Sequence, residues 1–522
     1  MLNDFLMSSP AGDAWARIGT APRHGINTPL FSLRTETSQG VGEFPDLLPL
    51  IDWMEEVGFS IVQILPIGDT GTSPSPYNAL SSLALHPVYL HIPALAEANR
   101  VPGYAESQKK LRAFELLPRF SYHEVVCEKL NFLRAYFSHI YEEKKEAILD
   151  FAKEHPWVVS YGLFRALKEK NRQLSWQCWP REEKERHRLS HLEKEHQKEI
   201  HFYTLLQMLC YEQMRAVKEH AEKKGVYLLG DLPILLSPDS ADVWAERSLF
   251  SLQETVGCPP DLFNYEGQNW GFPVLKWDEV AQSGYRWWQN RLSYASHFFH
   301  LYRIDHLVGF FRIWAIPLGK SPIKGRFLSS NRKLWPFHGK ERMQALIEAS
   351  PMLPIGEDLG ILPKEARGIL EDLGISGTRV TRWVKYWEED GQFVRGEDFD
   401  PISVSTLSTH DTPTFSGWWE SSPSEAKLYA DSRKIAYHKN LTPSLRDACL
   451  EDLHRSSSIF HINLLMEYAA LFPEFSFPSA EEERINVCGV ELQSNWSLRY
   501  LATVEQFREH RPLSSLLERC AQ

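Results

Sequence analysis

The sequence predicts an α/β fold in which a parallel sheet carries reactive groups at its strand ends, the arrangement of a TIM barrel. Three observations predict it. Short apolar runs end in Gly, Asp or Pro, as buried strands do. Amphipathic helical patterns lie between these runs, and alternation of strand and helix implies parallel pairing. Several runs finish on a carboxylate, and a TIM barrel places its chemistry at the C-terminal ends of its strands. At ~150 residues per domain, 522 residues amount to roughly three or four units, but barrels exceed that size as single domains. The chain is therefore read as one domain over residues 1–522.

Taken in order, Met1 to Trp15 carries Asp4 and Asp13 and has no basic region. Its apolar stretch, Phe5-Leu6-Met7, is too short for a signal peptide. Ser60-Ile61-Val62-Gln63-Ile64-Leu65-Pro66 reads as a buried strand, and Gly68 to Asn78, rich in turn formers, as the loop after it. Residues ~105–225 differ in character, being rich in Glu, Lys, His and Leu. Long amphipathic patterns run over Glu142 to His155 and Arg181 to Gln207. This segment is expected to be a helical insertion within the barrel, and its charge-balanced run Arg181 to Arg188 a solvated helix face. Val226-Tyr227-Leu228-Leu229-Gly230-Asp231 is the next strand. Val256 to Pro273 mixes Gly and Pro with Asp, Asn, Gln and Trp and is expected to be a long loop over about 256–273. Loops of that length are often functional. Strands follow at Leu301 to His306, Met352 to Asp358 and Ile402 to Asp411, with a helix over Lys364 to Leu373 that Gly374 ends. The pairs Trp287-Trp288 and Trp418-Trp419 read as core.

Composition narrows the function. The net charge of −11 argues against nucleic-acid and anionic-membrane partners. No window approaches the ~18 consecutive apolar residues of a membrane span. Seven cysteines, an odd number without a CxxC pair, fit reduced thiols and a cytoplasmic location. Aromatic residues make up 12%, enough for a large core and for surfaces that stack on sugar rings. There is no GxGxxG after a strand, no GxxxxGK[ST], no HExxH and no GxSxG. His187, His191 and His196 fall on a charged helical pattern and read as solvated. A metal site is not indicated.

Three acidic residues end predicted strands about 50 residues apart: Asp305, Glu357 and Asp411. One βα unit takes ~30 residues, so all three can reach one barrel rim. Retaining glycoside chemistry needs such a set: one carboxylate attacks the anomeric carbon, and a carboxylic acid protonates the leaving oxygen. A further carboxylate stabilises the oxocarbenium-like charge. Arg303 and Asp305, two apart on a strand, share a face, so the cation should keep Asp305 ionised. Glu357 follows Pro354-Ile355-Gly356 with no adjacent cation, which suits a raised pKa and an acid role. His410, next to Asp411, is placed to hydrogen-bond a sugar hydroxyl.

At these residues the chain resembles the 4-α-glucanotransferases of glycoside hydrolase family 77, the amylomaltase or disproportionating-enzyme family. Six motifs occur in family order over nearly the whole chain. Ser75-Pro76-Tyr77 is similar to an early active-site loop, and Gly230-Asp231-Leu232-Pro233-Ile234 to a strand end. Pro259-Pro260-Asp261 with Gly267-Gln268-Asn269-Trp270-Gly271 resembles the loop that covers bound glucan. Arg303-Ile304-Asp305-His306, Gly356-Glu357-Asp358-Leu359-Gly360 and Thr409-His410-Asp411-Thr412 resemble the strands of the nucleophile, the acid/base and the transition-state-stabilising Asp. Two positions depart from the pattern. Leu307-Val308-Gly309 stands where the family has Phe-Arg-Gly, and Thr412-Pro413-Thr414 where an Asn often follows His-Asp.

The resemblance implies a (β/α)8 barrel with inserted, largely helical subdomains, no metal and no cofactor. It implies Asp305 as nucleophile, Glu357 as acid/base, and Asp411, Arg303 and His410 on the donor sugar. Tyr77 would stack beside the scissile bond. Asp261, Gln268 and Trp270 would contact glucan, and Asp231 would serve in support. The activity implied is transfer of α-1,4-glucan segments from a maltodextrin donor to the 4-hydroxyl of another glucan or of glucose. Two other readings compete: an α-glucan hydrolase on the same scaffold, and a non-catalytic glucan-binding protein, against which the three intact acids argue.

Overall fold

The structure is a computed structural model that describes residues 2–185, 188–260 and 265–522. Its strands are β1 (Arg23–Thr28), β2 (Ile61–Ile64), β3 (Tyr227–Leu232), β4 (Phe250–Cys258), β5 (Gln268–Leu275), β6 (Leu301–Ile304), β7 (Trp314–Pro317), β8 (Arg326–Phe327), β9 (Leu353–Gly356), β10 (Gly377–Val380), β11 (Ser403–Thr406) and β12 (Phe460–Leu464). Eight of them form one parallel sheet in the order β10-β11-β12-β1-β2-β3-β6-β9. Its two edges meet where the Gly356 N–H donates to the Ser376 carbonyl at 2.8 Å and the Thr378 hydroxyl donates to the Gly356 carbonyl at 2.9 Å. The buried Asp358 carboxylate reinforces this seam, accepting from the Thr378 N–H at 2.6 Å and from Arg379 at 2.9 Å. The result is the (β/α)8 barrel.

Alternation along each strand divides the interior into layers. Ile61, Leu229, Leu301, Leu353, Val404 and Phe460 lie in one buried apolar cluster with Leu6, Ala14, Trp15 and Ile18 of the N-terminal helices Leu2–Ser8 and Gly12–Ile18. Those helices plug the bottom of the barrel. Two residues further along β2, β3, β6 and β11 the same face turns polar, with Gln63, Asp231, Arg303 and Thr406, while Ile355 of β9 and Ile462 of β12 stay apolar. These polar groups lie toward the C-terminal ends of their strands.

Between β2 and β3 lie long helices, among them Tyr122–Glu154, Trp157–Lys170 and Gln197–Lys224. The first buries Val125, Phe132, Leu133, Tyr136, Phe137 and Ile140, an apolar stripe of helical period. The helices hold the loop after β2. Tyr161 and Arg165 both hydrogen-bond the fully buried Asp69, and Tyr122 donates to the Gly71 carbonyl at 2.9 Å.

The segment expected as a loop over 256–273 is instead largely a hairpin of β4 and β5, within an antiparallel sheet ordered β5-β4-β7-β8. Its sequence masks the strands: Gly257, Gly271 and Pro273 interrupt the alternation by which strands are recognised, and a register shift near Thr255 and Gly257 accommodates them. Trp288, Trp418 and Trp419 are buried in the core.

Candidate active site

Register places the first two acids side by side. Ile304 of β6 pairs with Gly356 of β9, so Asp305 and Glu357 leave adjacent strands at the same level. The backbones stay stitched beyond the sheet: the Glu357 N–H donates to the Ile304 carbonyl at 3.0 Å and the Leu307 N–H to the Glu357 carbonyl at 3.2 Å. His306 adopts φ +47°, a left-handed turn that bulky residues rarely take. This turn aims its own N–H at Glu357 Oε2, 2.7 Å away, while the Leu359 N–H reaches Oε1 at 3.2 Å.

Arg303 is the hub of the floor. Its Nη1 donates to Asp231 at 2.9 and 2.7 Å and to Asp305 Oδ1 at 3.1 Å. Asp231 is its register partner on β3. The residue before it, Gly230, has no room for a side chain, since a Cβ there would lie 2.5 Å from the Phe299 ring. The Tyr77 hydroxyl donates to Asp231 Oδ2 at 2.7 Å and lies 2.7 Å from His410 Nε2, which lies 3.0 Å from Asp411 Oδ2. The single proton of Tyr77 is committed to Asp231, so Nε2 of His410 must carry a proton and donate. Asn486 donates to the other Asp411 oxygen at 2.7 Å. A continuous polar chain thus links Asp305 to Asp411.

The three carboxyls differ electrostatically. Burial pushes Glu357 up to about 8; Arg303 and the His306 N–H pull it down and the Asp305 charge adds to the rise. Burial also raises Asp305, to about 6, with Arg303 opposing and Asp231 and Asp411 adding. Asp411 goes the other way: burial pushes it up, but the charge and hydrogen bond of His410 and the Asn486 bond hold it well below the usual carboxylate range. Asp305 and Asp411 are still 24% and 39% exposed at the side chain, so both face an open cleft. Near neutral pH the site holds one protonated carboxyl between charged partners.

Arg303 favours ionised Asp305 as expected, although burial and two neighbouring anions outweigh it and leave the carboxyl at about 6. One expectation needs correction: Glu357 does feel a cation, since Arg303 lowers it as well. Asp231 lies in support, as the shared anchor of Arg303 and Tyr77.

The remaining predicted residues lie around the cleft. The Tyr77 ring stacks on His410 at 5.4 Å with Trp496 tilted against it. Trp270 and Gln268 lie on β5, where the indole N–H donates to the Gln268 side-chain amide oxygen Oε1 at 2.9 Å and the ring meets His306 edge-on at 4.7 Å. Asp261 falls outside the described residues. Leu307, one of the departures, is buried and packs against Gly356. Asn486, Trp496 and the Cys488 thiol, 3.5 Å from the Asp411 carbonyl, escaped the sequence reading because nothing in their local sequence marks them. Among the described residues no cluster of His, Cys, Asp and Glu could hold a metal ion, and no helix is long and apolar enough to cross a membrane.

A family model described as 4-alpha-glucanotransferase matches residues 28–503. The chain is 42% identical to a 4-alpha-glucanotransferase of Chlamydia pneumoniae, over 99% of this chain and 98% of that protein. It is 41% identical to that of Chlamydia trachomatis, over 98% of each. The solved amylomaltase of Streptococcus agalactiae in complex with acarbose superposes with a TM-score of 0.81 at 21% identity, covering 96% of this chain and 98% of that one. The chain belongs to the 4-α-glucanotransferases of glycoside hydrolase family 77.

Proposed function

We propose that this 4-α-glucanotransferase works by a retaining double displacement on α-1,4-glucans. Asp305 attacks the anomeric carbon of the donor while Glu357 delivers its proton to the departing glycosidic oxygen. The released fragment leaves, and the rest of the donor stays esterified to Asp305. An acceptor 4-hydroxyl then gives its proton to Glu357 and displaces Asp305, forming a new α-1,4 bond. Asp411, with Arg303 and His410, binds the donor sugar and opposes the positive charge of the transition state. The observation that carries this reading is the polarisation of the acids: Glu357 is raised to about 8 beside Asp305, which is ionised at neutral pH. Emergence from paired strand ends supports the ~5–5.5 Å separation that a retaining pair requires.

Asp231 holds Arg303 and Tyr77 in place in this scheme. Tyr77, Gln268, Trp270 and Asp261 contact glucan, and the β4–β5 hairpin covers the cleft and keeps water from the intermediate. Residues 105–225 serve as the insertion that buttresses the Tyr77 loop. Maltodextrins and glucose are the partners. Seven free cysteines, three of them buried, support a reducing, cytoplasmic setting.

Incubation with maltotriose alone tests the proposal. Glucose should appear with a ladder of longer maltodextrins and no net gain in reducing ends, and Asp305→Asn should abolish both. Rising reducing ends would mean hydrolysis, and an unchanged maltotriose pool would favour the binding-protein reading.

A further inference from the structure

The loop that leaves β10 turns three aromatic rings outward at the face where the strands end. Trp383, Tyr386 and Trp387 are 38%, 39% and 60% exposed. They are not on a slack loop. Residues 384–394 form a small hairpin, closed by Tyr386 N–H to the Gln392 carbonyl at 2.9 Å and Val394 N–H to the Val384 carbonyl at 3.0 Å, with Gly391 at φ +71° in the turn. Trp387 is itself pinned. Its indole N–H donates to the Trp383 carbonyl at 3.1 Å, and the Lys385 ammonium, paired with Glu425, lies 5.1 Å from its ring.

A rigid exposed indole leaves apolar surface in water that burial would stabilise, so such rings mark contact sites. Its position names the occupant. β10 lies between β9, which leads to Glu357, and β11, which leads to Asp411. Arg382, next to Trp383, donates to the Pro413 carbonyl at 3.2 Å, two residues beyond Asp411. The hairpin therefore belongs to the rim between the strand ends that carry Glu357 and Asp411. The apolar pyranose faces of a glucan suit flat rings.

We propose that Trp387 and Tyr386 form a stacking subsite for α-1,4-glucan, away from the sugars that flank the scissile bond, through which the enzyme favours long chains. This rests on the glucanotransferase reading. The test compares kcat/KM for maltoheptaose and maltotriose in the full-length chain. Trp387→Ala should lower the maltoheptaose-to-maltotriose ratio by roughly 3- to 10-fold, through KM rather than kcat, and Trp387→Phe should restore much of it. Should Trp387→Ala lose its fold, Trp387→Gln and Tyr386→Gln carry the same comparison. A ratio unaltered in a folded variant overturns the proposal, as does an equal loss on both substrates. A variant that instead loses self-association would assign the rings to a second copy of the chain and overturn it too. Parent activity on maltotriose, read in the same assay, reports separately on the glucanotransferase reading.

Discussion

Glu357 and Asp305 leave paired strand ends, yet the fold gives them opposite protonation at neutral pH. Glu357 accepts only backbone N–H groups, whereas Asp305 takes a guanidinium bond. The reaction needs Asp305 ionised and Glu357 protonated, so kcat/KM for maltotriose should be bell-shaped. Activity should fall below about 6 as Asp305 takes up a proton and above about 8 as Glu357 loses one. The two limbs belong to the interacting pair rather than to either acid alone. Stability adds a second readout. A carboxyl raised above its ordinary value of 4.5 binds its proton more tightly in the folded state, so it costs stability as pH rises from 4.5 through about 8. Glu357→Gln should therefore melt higher than the parent at pH 8, by a degree or more, and lose that advantage near pH 4. Thermal melts at the two pH values decide this, and equal melting differences at both would contradict the raised Glu357.

Elements differ in how legible they were. Five of the eight barrel strands, β2, β3, β6, β9 and β11, could be read because each is a short apolar run that stops at a polar residue, and alternation fixes which side chains share a face. Arg303 and Asp305 meet for that reason alone. β1, β10 and β12 went unread, β1 and β10 because Arg23, His24, Gly377 and Arg379 break any apolar run. The β4–β5 hairpin could not be read either, because Gly257, Gly271 and Pro273 blur its period and β4 pairs with β7 about 60 residues further on, as in Gly257 with Trp314. Asn486 was invisible for another reason: it reaches Asp411 across 75 residues, through tertiary packing that no local pattern encodes. The hairpin also carries a prediction. Trp270 is the ring that reaches from β5 to His306, beside Asp305. If the hairpin keeps water from the glycosyl-enzyme, Trp270→Ala should raise the share of hydrolysis severalfold relative to transfer. Counting reducing ends against total bond cleavage measures that share, and an unchanged share would place water exclusion elsewhere.

At the scale of the whole molecule, stability and chemistry occupy opposite ends of one barrel. The site end is polar, strained at His306 and crowded with like charges, and each of these features costs stability. The opposite end holds the apolar plug. Trp15 is fully buried, stacks on Phe460 at 5.6 Å and 16°, and donates its indole N–H to the Gly374 carbonyl at 2.8 Å. It thereby ties the N-terminal helices to β12 and to the turn before β10, and so closes the strands that later diverge into the cleft. Replacing a buried Trp by Ala costs about 3–5 kcal/mol through lost transfer energy and the cavity left behind. Trp15→Ala should therefore lower the melting temperature by several degrees. Trp15→Phe, which keeps most of the ring but leaves the Gly374 carbonyl without its donor, should cost about 1 kcal/mol. The catalytic groups sit at the far end of the strands, and their hydrogen bonds run among Asp231, Arg303, Tyr77 and His410 without touching the plug. So kcat/KM of the folded Trp15→Ala protein at 25 °C should stay within about twofold of the parent, a gap of less than 0.5 kcal/mol. Melting curves paired with assays well below the transition separate the two effects. A large loss of kcat/KM in the fully folded variant would show that the plug also sets the geometry of the acids, and that the two ends of the barrel are coupled.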